Sequence, residues 1–327
     1  MHAREDTWMR VVALAGGVGA GKFLRGLVRA VPAEDVSIVV NTGDDIVIHG
    51  LHVSPDLDSV LYWLADVADR DRGWGRRDET FRATDELGRL GAKGAWFGLG
   101  DLDLATHLYR TALLDDGKGL SQATAALAAR FGVRSLLLPM SDDPVTTRLE
   151  VIDEGGQQLD LHFQEYWVKR GAADTVRAIR YEGAEKARPG PGVLEAIAAA
   201  DVLVICPSNP IASIDPILAV PGIRDAVARR KSQVVGVSPI VGGAPLRGMA
   251  DKLLPLVGAE VSADGVAAHY GGLLGGWVID VQDRDRVEDI EARGVRVAVA
   301  DSIMTDDGAS ERLARAALAL VRGEGGV

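Results

Sequence analysis

Seven short runs rich in valine, isoleucine and leucine, at residues 11–15, 37–40, 136–138, 202–206, 234–237, 277–281 and 295–300, constrain this 327-residue chain more than any other feature. Each is followed by a polar or glycine-rich turn and then by a helical pattern, the signature of strands in a parallel sheet. Because the runs are mostly apolar rather than alternating, helices must cover both faces of that sheet. The stretch 55–131 departs from the strand-and-helix rhythm and reads as four helices in succession, at 55–68, 80–90, 102–113 and 120–131. The expectation is therefore an α/β fold: a Rossmann-like, mostly parallel sheet formed by residues 10–54 and 132–327, with helices on both faces and a helical insertion at 55–131. A half-exposed hairpin is expected after the third strand, 148–152 with 158–163, joined through Gly155-Gly156.

Open α/β sheets bind ligands beyond the carboxyl ends of their strands, so the chemistry is sought in the turns. The first turn, GGVGAGKF, places Gly16, Gly21 and Lys22 in the register of a phosphate-binding P-loop, but Phe23 stands where a Ser or Thr would ligate magnesium. It also fails the dinucleotide fingerprint, because Lys22 falls at the third glycine. What remains is an anion site, since glycines let backbone N–H groups and a helix N-terminus approach a phosphate closely; a purely structural turn is the alternative.

The second turn reads Asn41-Thr42-Gly43-Asp44-Asp45, and Asp56 and Asp58 follow in Ser54-Pro55-Asp56-Leu57-Asp58. Ser54 can cap a helix that Pro55 opens, and the two carboxylates then complement its dipole. Together the two aspartate pairs offer oxygen ligands suited to magnesium or another divalent metal. Asp142 and Asp143, after the third strand, either add to this cluster or are ordinary turn carboxylates. Ser208 and Asn209, between Pro207 and Pro210, sit in a rigid turn where they can read a base or brace the loop.

Of the six histidines only His49 and His52 approach metal spacing, with a turn donor as the plainer role. His107 follows Asp103 by one helical turn, so the two can meet on one face. Trp63, Trp96 and Phe97 can wall a pocket for a flat ring or pack a core. Cys206, inside an apolar run, reads as a buried small hydrophobe. A formal net charge of −11 repels nucleic acid, and the one basic run, Arg229-Arg230-Lys231, closes an expected helix. No apolar run reaches the roughly 18 residues of a membrane span, and the first ten residues are too polar for a signal peptide, so a cytoplasmic location is expected.

In order along the chain, GGVGAGK, NTGDD, HGLHVSPDLD, WFGLGDLDLATH, LPMSDDPV, FQEYWVKRG, SNPIASIDPIL and SPIVGGAPL resemble the 2-phospho-L-lactate transferases of coenzyme F(420) biosynthesis, from about residue 11 to about residue 305. The resemblance implies the deazaflavin Fo as acceptor and a guanosine diphosphate conjugate of lactate, enolpyruvate or glycerate as donor. A ribityl hydroxyl of Fo would attack the donor phosphate that bears the acid, and GMP would leave. Gly16, Gly17, Gly19, Ser208, Asn209 and Pro210 would then hold the donor, with Lys22 as a further nucleotide contact. Asp45 and Asp58 would bind magnesium, with Asp56 as another candidate ligand; Asp45, as the metal ligand nearest the chemistry, and Asp44 are the candidate catalytic carboxylates, with Asp58 as the other candidate base.

Asn41, His49, Asp58, Trp96 and Gly98 are the candidate acceptor contacts, and the 55–131 insertion would contribute to the acceptor pocket. Two departures stand out. Gly98 occupies a slot where some relatives carry lysine, and Arg247-Gly248-Met249 stands where relatives often have Gly-Pro. A homodimer is implied by the family alone. Two other readings are a regulatory protein of the same superfamily that binds nucleotide sugars, whose members tend to lack the NTGDD and PDLD pairing, and a P-loop nucleotide hydrolase, which would need a hydroxyl in place of Phe23.

Overall fold

A computed structural model describes residues 9–323. The seven apolar runs form one sheet of parallel strands: β1 (Val11–Ala15), β2 (Val36–Val40), β3 (Leu136–Pro139), β4 (Val202–Ile205), β5 (Val234–Val237), β6 (Gly276–Asp280) and β7 (Arg296–Ala300). Their spatial order is β7-β6-β5-β4-β1-β2-β3, all neighbours being parallel. The chain runs outward from β1 through β2 to β3 and then returns to lay β4 on the other side of β1. The crevice beyond the carboxyl ends of β1 and β4 is therefore the topological switch point, where such sheets bind ligands.

Alternate side chains of β1 enter two separate cores, as the period of two in a strand requires. Val11, Ala13 and Ala15 pack with α1 (Gly17–Ala30), α2 (Pro55–Leu64), α5 (Leu120–Arg130) and the helix Asp307–Arg322. Val12 and Leu14 face the opposite core, built from the helices Val193–Ala199, Asp215–Ala219, Ile223–Ala228 and Ala263–Tyr270. There the fully buried Trp277 satisfies its indole N–H on the Ala263 carbonyl at 3.0 Å. Buried aromatics of this kind need such a partner.

Between α2 and α5 lie α3 (Arg82–Arg89), which buries no side chain, and α4 (Asp101–Asp115). Helix α2 ends at Leu64 rather than near residue 68; two residues on, Asp66 adopts φ +58°, a left-handed conformation that a helix cannot continue through. Among the described residues no helix is long and apolar enough to cross a membrane.

Two antiparallel elements exceed what the sequence announces. The expected hairpin, Thr146–Ile152 with Gln158–His162, gains a third strand, Thr175–Glu182, on its free edge. An extra residue there, Arg177, shifts the register between Glu150 and Val151 and breaks the apolar alternation by which that strand would have been found. A second hairpin, Ile46–Ile48 with Leu51–Val53, turns through His49-Gly50, whose φ values are 53° and 79°. Two consecutive positive φ values match the tight primed turns of hairpins, usually marked by Asn-Gly; histidine in the first slot hid it.

Candidate active site

The turn after β1 is held between two other segments. A Cβ added at Gly16 would collide with Asp56 and Ser213, and one at Gly19 with the Pro207 carbonyl, so the missing side chains let α2 and the loop after β4 close on the turn. The Gly16 N–H donates to Ser208 Oγ at 3.2 Å. Helix α1 starts at Gly17 with no acidic residue in its own first turn and no side-chain cap, and the Asp56 carboxylate of α2 comes up to the Gly17 N–H, so part of the positive dipole end is already met by a carboxylate. Asn209 Oδ1 accepts from the N–H groups of Ile211 and Ala212, each at 3.0 Å, and Pro210 opens the wide turn Pro210–Ile214. Ser208 and Asn209 thus brace the loop against the glycine turn.

Asn41, fully buried at the end of β2, joins the two aspartate stretches. Its Nδ2 donates to Asp56 Oδ2 at 2.9 Å and to Asp44 Oδ1 at 3.2 Å, while its Oδ1 accepts from the Gly43 N–H at 2.8 Å. Burial pushes the Asp44 carboxyl well above the usual range, and the charges of Asp56 and Asp45 add to that. Asp56 is pushed up to about 7, chiefly by burial and further by Asp45, with the Asn41 bond opposing. Burial raises Asp45 as well, against the pull of His52 and Ser54.

Asp45 Oδ2 meets His52 Nε2 at 2.9 Å and accepts from Ser54 Oγ at 2.7 Å. Ser54 does occupy the cap position of α2, yet it makes no cap hydrogen bond and serves Asp45 instead. Asp45 Oδ1 is buried with no hydrogen-bond partner among the described residues. Asp58 points into a different environment: both its oxygens are taken by the buried Arg110 guanidinium. Arg110 also reaches the His52 carbonyl at 3.4 Å and the His107 ring at 3.3 Å. His107 lies 3.2 Å from Asp103, which accepts from the Tyr62 hydroxyl at 2.6 Å, so the expected Asp103–His107 pair belongs to a larger buried network.

Two buried carboxylates, Asp44 and Asp56, and the partly buried Asp45 thus gather around Asn41, with Asp56 against the glycine turn. Among the described residues no three Asp, Glu, His or Cys are grouped so as to hold a metal unaided. Magnesium asks for less, because it takes one or two protein carboxylates and completes its shell with substrate phosphates and water. The unpartnered oxygen of Asp45 and the all-oxygen donor set fit such a cation. Asp58 would have to leave Arg110 to join it. Asp142 and Asp143 lie outside the cluster: Asp142 accepts from the Ser121 N–H and hydroxyl at 2.7 and 2.6 Å, at the start of α5, and Asp143 pairs with Arg188 at 3.2 Å.

His49 and Trp96 line one cavity of about 380 Å³, together with Ile46, Lys93, Gly94 and Glu165. His49 Nε2 is buried there without a partner among the described residues, and the Trp96 ring carries Phe97 edge-on at 5.5 Å and the Lys169 ammonium at 5.6 Å. Asn41 lies with the carboxylates rather than on the cavity wall, and Trp63 is packed in the core. A side chain at Gly98 would touch the Trp74 ring.

Lys22 lies 5.9 Å from the centre of the Trp63 ring and pairs with no carboxylate among the described residues; burial and the Arg247 guanidinium hold its ammonium below the ordinary lysine range. Arg247 itself donates to the Arg72 carbonyl at 3.3 Å. Cys206 is buried and burial pushes its thiol up, so it is no nucleophile.

Sequence reasoning missed Arg110, Gln164 and His162. Arg110 was within reach of inspection, since it falls three residues after His107 and seven after Asp103, on one helix face. Gln164, whose Nε2 donates to Asp44 Oδ2 at 2.7 Å, is tied to its partner only through space.

Residues 11–316 match the family model described as 2-phospho-L-lactate transferase CofD. A phosphoenolpyruvate transferase of Streptomyces griseus is 53% identical over 313 residues, covering 95% of this chain and 98% of its own. One from Mycolicibacterium smegmatis is 42% identical, again over 95% of this chain and 98% of its own. In fold, a crystal structure of a UPF0052 family member from Bacillus halodurans superposes with a TM-score of 0.62 at 17% identity, covering 95% of this chain and 99% of that one. With a family match running from β1 into the helix Asp307–Arg322, this chain belongs to the CofD family of transferases.

Proposed function

We propose that the protein transfers an enolpyruvyl phosphate group from a guanosine diphosphate conjugate to the deazaflavin Fo, releasing GMP, as a step of coenzyme F(420) biosynthesis. Phospholactyl and phosphoglyceryl donors differ from this one by only a few atoms, and the enolpyruvyl choice rests on the names of the relatives. The observation that carries the reading is the meeting of Asp44 and Asp56, from two separate stretches, on the Asn41 amide against the Gly16–Gly17 turn.

The donor phosphates would lie on the N–H groups at the start of α1, between Gly16, Gly17 and Gly19 and the Ser208–Pro210 loop, with Lys22 adding a positive charge. A magnesium ion held by Asp45, with Asp44 and Asp56 beside it, would neutralise charge on the reacting phosphate. The flat acceptor would occupy the His49–Trp96 cavity, which Ile46 connects to Asp45. Its ribityl hydroxyl oxygen then forms the new bond to phosphorus, the bond from phosphorus to the GMP oxygen breaks, and the ionised Asp44 carboxylate, made more basic by its burial, takes the hydroxyl proton. Little covalent work is left to the protein, so positioning and electrostatics dominate the rate.

The test is incubation with Fo, magnesium and each of the three guanylylated donors in turn. GMP should appear together with the phosphodiester, fastest from the enolpyruvyl donor. Saturable donor binding without GMP release, with acceptor and metal present, would overturn the transfer reading and leave a nucleotide-binding protein.

A further inference from the structure

Three consecutive residues of the turn after β2 are each gripped by one residue of the three-stranded antiparallel sheet or of the helical turn that directly follows its strand Gln158–His162. The Thr147 N–H donates to the Gly43 carbonyl at 2.5 Å, Gln164 Nε2 donates to Asp44 Oδ2 at 2.7 Å, and His162 Nε2 lies 3.0 Å from the Asp45 carbonyl. The sense of the last bond is fixed locally. His162 Nδ1 accepts from the Gln164 N–H at 3.1 Å, so Nε2 carries the hydrogen and donates to Asp45.

Gln164 is 5% exposed and Thr147 is fully buried, so these contacts are shielded from water. A buried amide side chain costs stability unless it is hydrogen-bonded, and an apolar residue would cover the same surface without that cost. Gln164 therefore reads as a group selected for its N–H, and the atom that takes it is a carboxylate oxygen. Asn41 serves Asp44 too, but at 3.2 Å and with the same nitrogen it gives to Asp56 and the Ala212 carbonyl. Of the two amides, Gln164 makes the shorter bond, and it comes from outside the turn.

We propose that the antiparallel sheet is a clamp for the cation turn and that Gln164 is a positioning residue, orienting the Asp44 carboxylate towards a divalent cation at the glycine turn, with His162 fixing the Asp45 backbone. The inference rests on the cation reading given under the proposed function. Hydrogen bonds that orient ligating carboxylates commonly change metal affinity by about 10–100-fold when removed.

The test uses the full chain with Mn²⁺ as probe, in the presence of GDP, read by electron paramagnetic resonance. Gln164→Met keeps the volume and removes the donor. It should bind Mn²⁺ about 10–100-fold more weakly, with a melting temperature close to wild type. Its turnover at limiting magnesium should fall and recover at saturating magnesium, while the KM for the acceptor stays unchanged. A merely structural role predicts the reverse: lower stability, unchanged metal affinity of the folded protein and no rescue by magnesium. His162→Leu removes the second grip and carries the same measurement should Gln164→Met fail to fold. Wild-type Mn²⁺ affinity in the folded variants overturns the clamp alone, whereas a wild-type protein that takes up no Mn²⁺ with GDP overturns the clamp and the cation reading together.

Discussion

Asp45 and Asp58 are both aspartates beside the switch point, and their partners give them opposite roles. Asp58 is saturated by the buried Arg110 guanidinium, whereas Asp45 keeps one oxygen without a partner. Asp58→Asn leaves a buried cation uncompensated and should cost roughly 3–5 kcal/mol of stability in denaturant unfolding. Asp45→Asn should change stability by only about 1 kcal/mol, while lowering turnover by about 100-fold or more through lost electrostatic stabilisation. Equal stability losses in the two variants would contradict this division. The aspartates themselves were legible in the sequence as two pairs, one after a strand and one at a helix start, although helix-dipole complementation accounts equally well for the second pair taken alone. Which of them would be neutralised was not, since Arg110 lies on another helix and nothing in its spacing says which carboxylate it meets.

At the level of elements, the site depends on how closely the β1 turn approaches the loop after β4. A side chain at Gly19 would meet the backbone carbonyl of Pro207, which cannot swing aside as a flexible side chain would. Gly19→Ala should therefore part the turn from the loop, costing about 1–3 kcal/mol by overpacking, and weaken GDP binding in calorimetry. Gly88→Ala is the control: it sits in α3, its added Cβ would have nothing nearer than 3.9 Å, and it should leave GDP affinity unchanged and stability equal or slightly higher. The sheet strands were readable because burial on both faces makes them continuous apolar runs. Short exposed elements were not, because a bulge at Arg177 and a His49-Gly50 turn each replace the expected pattern with a conformational exception. The hairpin behind the clamp was readable, but its contacts to the turn after β2 were not, because they join segments far apart in sequence.

The whole molecule carries a formal net charge of −11 and still gathers three carboxylates around Asn41, so its stability should report the state of that cluster. Asp56 titrates at about 7 in the folded chain against 3.8 for an ordinary aspartate, and Asp44 shifts in the same direction. Between those limits the folded protein holds a proton that the unfolded chain has released. Rising pH therefore favours the unfolded state across the window, and the penalty is complete once pH passes the folded value. His162 works oppositely: burial lowers its protonation below 6.5, so its contribution to stability is lost as pH falls. Comparing the protein with Asp56→Asn cancels such background terms. In the presence of a chelator, wild type should lose stability relative to Asp56→Asn by up to about 1.4 kcal/mol per pH unit until near neutrality. Above that the difference should stay constant. Magnesium with GDP should reduce the loss in wild type by binding the ionised, folded cluster, and should do so less in the variant. Parallel pH profiles for the two proteins, with and without the cation, would mean that Asp56 carries its charge in the fold without penalty and that no cation is needed to relieve it.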